Sequence, residues 1–465
     1  MNPPSPSARA VILAAGLGTR MRSRRPKVLH PLCGRPMLAY VIDAAAGLAG
    51  ARPLVVVSPA TAAIREPFAG LVDFAEQAEP RGTGDALRAA LEALDGVGPP
   101  PSTLVVLTGD APLLSPRTVT ELAEAHRAGG AAMTLTIFHP DDPTGYGRVL
   151  QDAVGVTRIV EEQDGGHVLD GIGDLNGGLY AFDTAWLRSR IGDLRPSAAT
   201  GELYLTELVA LARADGRAVA PFELDDPLEL AAINDRLQLA FVEHEMRQRI
   251  LARHMLGGVT VVDPATAYVE AEVALAEDVV LEPNVSLRGK TRVGEGTVIG
   301  SGSQLIDSIV GAGCRVWASV LESAEVEDEV QIGPLSHLRP GATVGRGAKI
   351  GNFAEIKNSR LGPGVQQHHF SYLGDADVGE RTNVGAGTVT ANYDGLRKHR
   401  TTIGKHVSLG VDTMLRAPVT VGDEARTGAG AVVTHDVPPG KLAVGMPARI
   451  RSQERPGDPG APKSG

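Results

Sequence analysis

The stretch VEDEVQIGPLSHLRPGATVGRGAKIGNFAEI, Val326–Ile356, carries an apolar residue at every sixth position: Val326, Ile332, Leu338, Val344, Ile350 and Ile356. Neither a helix nor an alternating strand has that period. It fits a coil with three short sides, one hexapeptide per side, with the apolar residue pointing into the prism and small residues at the corners. The same step recurs at Val273, Val279 and Val285 and at Ile403, Leu409, Leu415 and Val421. On this reading the phase breaks twice, at HHFSYLGD (368–375) after Leu361 and at GAGTVTANYDGLRKHRTT (385–402), an insertion between Val384 and Ile403. Such breaks are where a solenoid can aim polar side chains. A solenoid also buries only a thin core per coil, so side-by-side association of copies is a natural way to cover its faces.

Upstream, the pattern changes. AVILAAG (10–16), PLVVVS (53–58) and STLVVLTGD (102–110) are short apolar runs ending at Gly, Ser or Asp. Helical stretches lie between and after them, such as 84–96 and 116–130. This rhythm predicts βαβ units, a mostly parallel sheet, and a ligand beyond the carboxyl ends of the strands. Leu239, Val242, Met246 and Ile250 predict a helix from about Asn234 to Met255, stopped by Gly257-Gly258. The expected organisation is an α/β domain over 1–235, a helical linker over 236–258, a β-helix over 259–450 and a disordered tail over 451–465.

The 465 residues exceed one ordinary core, so two or more domains are expected. The net charge of -10 argues against general affinity for nucleic acid or anionic membrane. The start, MNPPSPSARA, has no apolar signal core, and no run reaches the roughly 18 residues of a membrane helix. Cys33 and Cys314 match no metal-ligand spacing and read as free thiols. The expectation is a soluble cytoplasmic protein.

In an acidic chain the basic residues are informative where they concentrate. VILAAGLGTRMRSRRPKVLHPL, Val11–Leu32, places Arg20, Arg22, Arg24, Arg25 and Lys27 directly after Gly16 and Gly18. Met21 breaks the dinucleotide fingerprint, and no Gly-Lys-Ser/Thr follows to make a Walker loop. What remains is a glycine-bearing turn whose backbone N–H groups can approach an anion, with cations beside it.

LAAGLGTRM and PKVLHPLCGRPM, followed in order by EQAEPRGTGDA (76–86), LTGDAPLL (107–114), DDPTGYGR (141–148), IVEEQD (159–164), LNGGLY (175–180) and INDRLQL (233–239), resemble the sugar-nucleotide pyrophosphorylases and their nucleotidyltransferase fold. Together with the hexapeptide half, nearly the whole chain resembles the bifunctional N-acetylglucosamine-1-phosphate uridylyltransferase/glucosamine-1-phosphate acetyltransferase family. The resemblance implies an N-terminal Rossmann-like α/β domain, a C-terminal left-handed parallel β-helix, a homotrimer, and synthesis of UDP-N-acetylglucosamine for cell-wall polymers. It also implies that Leu13, Ala14, Ala15 and Gly16 line the nucleotide, with Gly109 at the neighbouring strand end. Arg20 and Lys27 would neutralise the triphosphate, and Gln77, Gly82 and Thr83 would read the uracil. Asp110 and Asn234 would hold Mg²⁺, with a turn residue and a helix cap as their structural alternatives. Gly147, Glu161 and Asn176 would contact the N-acetylglucosamine portion.

For the β-helix the resemblance implies His369 as general base toward acetyl-CoA and the glucosamine amine. Arg339, Lys357, Tyr372 and Asn383 would hold the sugar phosphate, with Lys398 supporting the insertion loop. Ala386, Asn392, Tyr393, Val411 and Ala429 would contact acetyl-CoA. Departures from the family pattern are Leu17 for a frequent Lys, Asp85 for His after GTG, Gly177 for Thr in the Asn-Thr-Gly turn, Gln366 for Lys, and Val411 for Ser. Two rivals stay open at this point. One is a single-activity pyrophosphorylase with the solenoid as a platform; the other is a non-catalytic assembly protein on the same folds.

Overall fold

The computed structural model describes residues 8–48, 51–95, 100–139, 146–161 and 173–445. The expected tail, and residues 141–145 and 162–164 of the quoted motifs, lie outside them. The chain divides into two compact units, Met1–Met246 and Arg247–Gly465.

The first unit is built on a nine-stranded sheet: β1 (Ala8–Leu13), β2 (Leu54–Val57), β3 (Asp73–Glu76), β4 (Thr103–Thr108), β5 (Met133–Phe138), β6 (Arg148–Asp152), β7 (Gly155–Val160), β8 (Leu175–Asp183) and β9 (Val219–Glu223). The order is β9-β5-β8-β4-β1-β2-β3, with the β6–β7 hairpin attached at β8. Along that path every pairing is parallel except those of β8, which runs antiparallel to β4 and β5. Helices cover both faces. Ile12, Val55, Val105 and Leu107 pack with α1 (Met37–Ala45) and α3 (Pro116–Gly129). Their strand neighbours Val11, Val56, Leu104 and Val106 pack with α2 (Thr83–Leu94) on the opposite face. Burial on both sides is why these strands read as unbroken apolar runs. The carboxyl ends of β1, β2 and β4 lie side by side: Ala14 N–H donates to the Val56 carbonyl (2.9 Å) and Gly109 N–H to that of Leu13 (3.0 Å).

Two short helices, α4 (Thr184–Arg190) and α5 (Leu208–Ala214), precede the 21-residue α6 (Arg236–Leu256). This last helix starts two residues later than the sequence predicts. Asp235 is its cap, accepting from the N–H groups of Leu237 and Gln238 at 2.9 Å each, which leaves the Asn234 side chain for another task. Gly258, at φ +94°, follows its end.

The second unit is a left-handed parallel β-helix whose sides are three parallel sheets of seven, ten and nine strands. Glu325–Val326, Gln331–Ile332 and His337–Leu338 belong to three different sheets, and Thr343–Val344 returns to pair with Glu325–Val326. Every residue of the opening hexad series is at most 3% exposed. The phase, however, breaks less than expected. From Leu361 the inward positions are Gln367 and Leu373, six apart and both fully buried, so HHFSYLGD continues the coil. A polar residue at an inward position hid the continuity. The insertion is also shorter than 385–402: Val389–Ala391 and Thr401–Ile403 are strands paired in register, and only 392–400 lies between them.

Candidate active sites

A cavity of about 490 Å³ opens beyond the carboxyl ends of β1 and β4. Leu13, Ala14, Ala15, Gly16, Gly18 and Thr19 line one side, Gln77, Gly82, Thr83 and Ala86 another, and Lys27, Thr108 and Asp110 the floor between. Gly82 starts α2 at φ +104°, and a Cβ there would stand 2.6 Å from the Leu203 carbonyl oxygen, so only glycine fits this turn. Arg20 follows Thr19 on a short 3-10 turn; its side chain is exposed and has no ion-pair partner among the described residues.

Lys27 is the centre of this site. Its ammonium donates to Asp110 Oδ2 and, at 3.0 Å, to Asn234 Oδ1. The Ile233 N–H, which donates to the Asp110 carbonyl at 2.9 Å, brings Asn234 to the strand end. Two hard oxygens therefore converge on one cation, a donor set that suits Mg²⁺ completed by phosphate and water oxygens. Among the described residues no group of three or more His, Cys, Asp or Glu forms a metal cluster. The Asp110 and Asn234 oxygens fit a magnesium ion held jointly with substrate.

Gln77 is 3% exposed, and its amide nitrogen donates to the Gly82 carbonyl (3.1 Å) and to Asp85 Oδ2 (2.9 Å). Asp85 also pairs with Arg88. Gly147, Glu161 and Asn176 are not among the residues lining the 490 Å³ cavity and form their own group. Asn176 N–H donates to the Gly147 carbonyl at 2.9 Å, and a Cβ on Gly147 would lie 3.3 Å from Glu161 Oε2. Two residues that sequence reasoning missed join them. Thr206 Oγ1 donates to Glu161 Oε1 at 2.9 Å, and the Tyr180 hydroxyl meets the Asn176 amide at 2.8 Å. Burial, and then the Glu161 charge, pushes the Tyr180 hydroxyl up so that it stays protonated. Gly177 has a packing reason: a Cβ there would stand 2.3 Å from Thr136 Oγ1.

In the β-helix the implied residues fall into two groups at opposite ends of one side. His369 sits at the corner before the strand Ser371–Gly374, exposed, its ring near that of His368 (centroids 6.4 Å apart). Above it the corners stack: Gly387 N–H donates to the Phe370 carbonyl, Asp412 to Ala386 (2.7 Å each) and Gly430 to Val411 (2.8 Å). Ala386, Val411 and Ala429 thus rise in a column from His369. Asn383 is exposed on the adjoining side, bridged to Gln366 and Ser408. Gln366, at the family's lysine position, accepts from His368 at 2.7 Å.

The far corner of the same side gathers cations. Arg339 donates to Glu355 Oε1 at 2.7 Å, which raises its pKa further. Lys398 beside Lys357, and then Arg339, push the Lys357 ammonium down. Tyr372 lies near Arg339. Asp375, which sequence reasoning quoted without a role, organises the corner: burial pushes its carboxyl up, but hydrogen bonds from Asn358 and Asn392 together with the Lys398 and Lys357 charges hold it below the usual range. Asn392 therefore belongs to this corner and not to the column above His369. Tyr393 instead lines a separate cavity of about 430 Å³ with Asp394, His399 and Arg416.

A glycine-loop cavity with converging hard-oxygen donors and a polar solenoid together define a nucleotidyltransferase joined to a hexapeptide-repeat transferase. Residues 10–170 match the MobA-like NTP transferase domain, 323–358 the bacterial transferase hexapeptide (six repeats), and 400–435 the hexapeptide repeat of succinyl-transferase. The chain is 46% identical to the bifunctional protein GlmU of Kineococcus radiotolerans, over 98% of this chain and 94% of that one. It is 44% identical to those of Mycobacterium bovis (98% and 94%) and Streptomyces avermitilis (96% and 92%). The chain belongs to the bifunctional GlmU family.

Proposed function

We propose that the chain makes UDP-N-acetylglucosamine in two reactions, one per unit. It is both a glucosamine-1-phosphate acetyltransferase and a uridylyltransferase. In the β-helix, the glucosamine amine attacks the thioester carbonyl of acetyl-CoA. A C–N bond forms, the C–S bond breaks, and His369 takes the amine proton while the thiolate leaves. Arg339, Lys357 and Lys398 hold the sugar phosphate, and the column of Ala386, Val411 and Ala429 carries the acetyl-CoA chain.

In the α/β unit a phosphate oxygen of N-acetylglucosamine 1-phosphate attacks the α-phosphorus of UTP. An O–P bond forms and pyrophosphate leaves. Asp110 and Asn234 would hold Mg²⁺, which supplies charge neutralisation for the triphosphate. Lys27 and Arg20 add fixed positive charge, and Gly16 and Gly18 let the backbone approach the nucleotide. Gly147, Glu161, Asn176 and Tyr180 form the sugar end.

The observation that carries this reading is the convergence of Lys27, Asp110 and Asn234 beside the glycine loop. The separation of His369 from the cation corner supports a homotrimer, since a neighbouring copy can bring the two ends together. No described helix is long and apolar enough to cross a membrane. Pyrophosphate release from UTP and N-acetylglucosamine 1-phosphate tests the first unit. Chelation of Mg²⁺ is expected to abolish it and to leave acetyl transfer intact; no pyrophosphate with Mg²⁺ present would overturn the reading.

A further inference from the structure

Uracil presents one N–H donor between two carbonyl oxygens, whereas cytosine presents an acceptor nitrogen at the same place. A side-chain amide can serve either base, depending on which way it is turned. In this chain Gln77 cannot turn. Its nitrogen faces the Gly82 carbonyl at 3.1 Å and Asp85 Oδ2 at 2.9 Å, and both neighbours can only accept. Both amide hydrogens are thereby committed, which leaves the carbonyl oxygen as the polar atom that Gln77 can offer to a ligand. Gln77 stands in the wall of the glycine-loop cavity beside Gly82 and Thr83. Asp85 is itself held. It lies in the first turn of α2, is 8% exposed, and pairs with Arg88, which balances its charge.

The geometry points to Asp85 as a positioning residue that sets nucleobase selectivity. By locking the Gln77 amide, it presents an acceptor to the N3–H of uracil and a repulsive lone pair to N3 of cytosine. This inference rests on the reading of the cavity as the UTP site. A flipped amide would cost two hydrogen bonds and set a carbonyl oxygen against a carboxylate, so the lock discriminates by rejection as well as by attraction.

Four measurements of kcat/KM test it. The unaltered enzyme is expected to use N3-methyl-UTP at least about tenfold less well than UTP. Equal use would overturn Gln77 as the reader of N3–H, and the reading of the cavity with it. Asp85→Asn, which can donate as well as accept, is expected to lower the UTP-over-CTP preference about tenfold. Asp85→Ser removes the lock with less volume and is expected to give the same fall, with the urea unfolding midpoint of the first unit reporting an intact fold. An unchanged preference in both variants, with N3-methyl-UTP still rejected, would overturn the role of Asp85 alone. In a Gln77→Met background Asp85→Asn is expected to leave the preference where Gln77→Met sets it; a further tenfold shift would show that Asp85 does not act through Gln77.

Discussion

Lys27 and Asn234, 207 residues apart in sequence, meet at 3.0 Å through the ammonium that also pairs with Asp110. An ammonium and a magnesium ion bearing on the same two oxygens compete. Lys27→Met is therefore expected to tighten Mg²⁺ binding in the absence of nucleotide, read by titration calorimetry. The same variant is expected to lose uridylyl transfer by about a hundredfold or more. Weaker Mg²⁺ binding by the variant would show that Lys27 supports the ion instead of substituting for it.

The cation corner makes a prediction about a Michaelis constant. Lys398 and Arg339 depress the Lys357 ammonium, so the three charges repel one another until an anion arrives. Lys357→Met is expected to raise KM for glucosamine 1-phosphate about tenfold and to leave KM for acetyl-CoA unchanged. A rise confined to acetyl-CoA would move the phosphate away from this corner.

Gln367 offers a test of the inward hexad position. Its amide nitrogen donates to Ser371 Oγ at 2.8 Å, and Ser371 Oγ donates to the His369 carbonyl at 3.0 Å. Its Oε1, by contrast, is buried without a partner among the described residues. Gln367→Leu is expected to stabilise the second unit by about 1 kcal/mol in denaturant unfolding, because an unmet acceptor is removed. It is expected to slow acetyl transfer severalfold as the support of His369 loosens. Lower stability would mean that the Ser371 bond outweighs the unmet oxygen.

His126 predicts an acid-side loss of stability in the first unit. Burial lowers its pKa from 6.5, opposed in part by Asp183 and the Phe182 backbone. Its ring meets Thr134 Oγ1 at 2.9 Å. Between the folded and unfolded values the unfolded chain binds the extra proton, so stability rises with pH there. The contribution is complete above pH 6.5 and is lost below it, with a slope of up to about 1.4 kcal/mol per pH unit. Urea midpoints measured from pH 5 to pH 8 are expected to fall on the acid side, and His126→Gln is expected to flatten that slope.

The hexad was legible because its apolar residues alternate with nothing else of that period. Gln367 hid one turn of it, since a buried amide looks like a surface residue in sequence. Strand runs such as Leu104–Leu107 were legible because both faces are covered. Asn234 was separable from the helix cap only in three dimensions, where Asp235 takes that role. Arg339 and Lys357 differ by 18, one full coil of three hexapeptides, which sets them one above the other; the next coil is a residue shorter, so Lys357 pairs with Gly374 and the spacing alone does not bring Asp375 to the corner. Asp85 was visible as a departure, but its bond to Gln77 crosses a turn whose shape depends on Gly82.

The most direct test is product analysis of two variants, each given glucosamine 1-phosphate, acetyl-CoA, UTP and Mg²⁺. Lys27→Met is expected to accumulate N-acetylglucosamine 1-phosphate without forming UDP-N-acetylglucosamine. His369→Ala is expected to leave glucosamine 1-phosphate unacetylated, yet to form UDP-N-acetylglucosamine once N-acetylglucosamine 1-phosphate is added. Loss of both reactions in either variant, or of neither, would contradict a division of the two chemistries between these two sites.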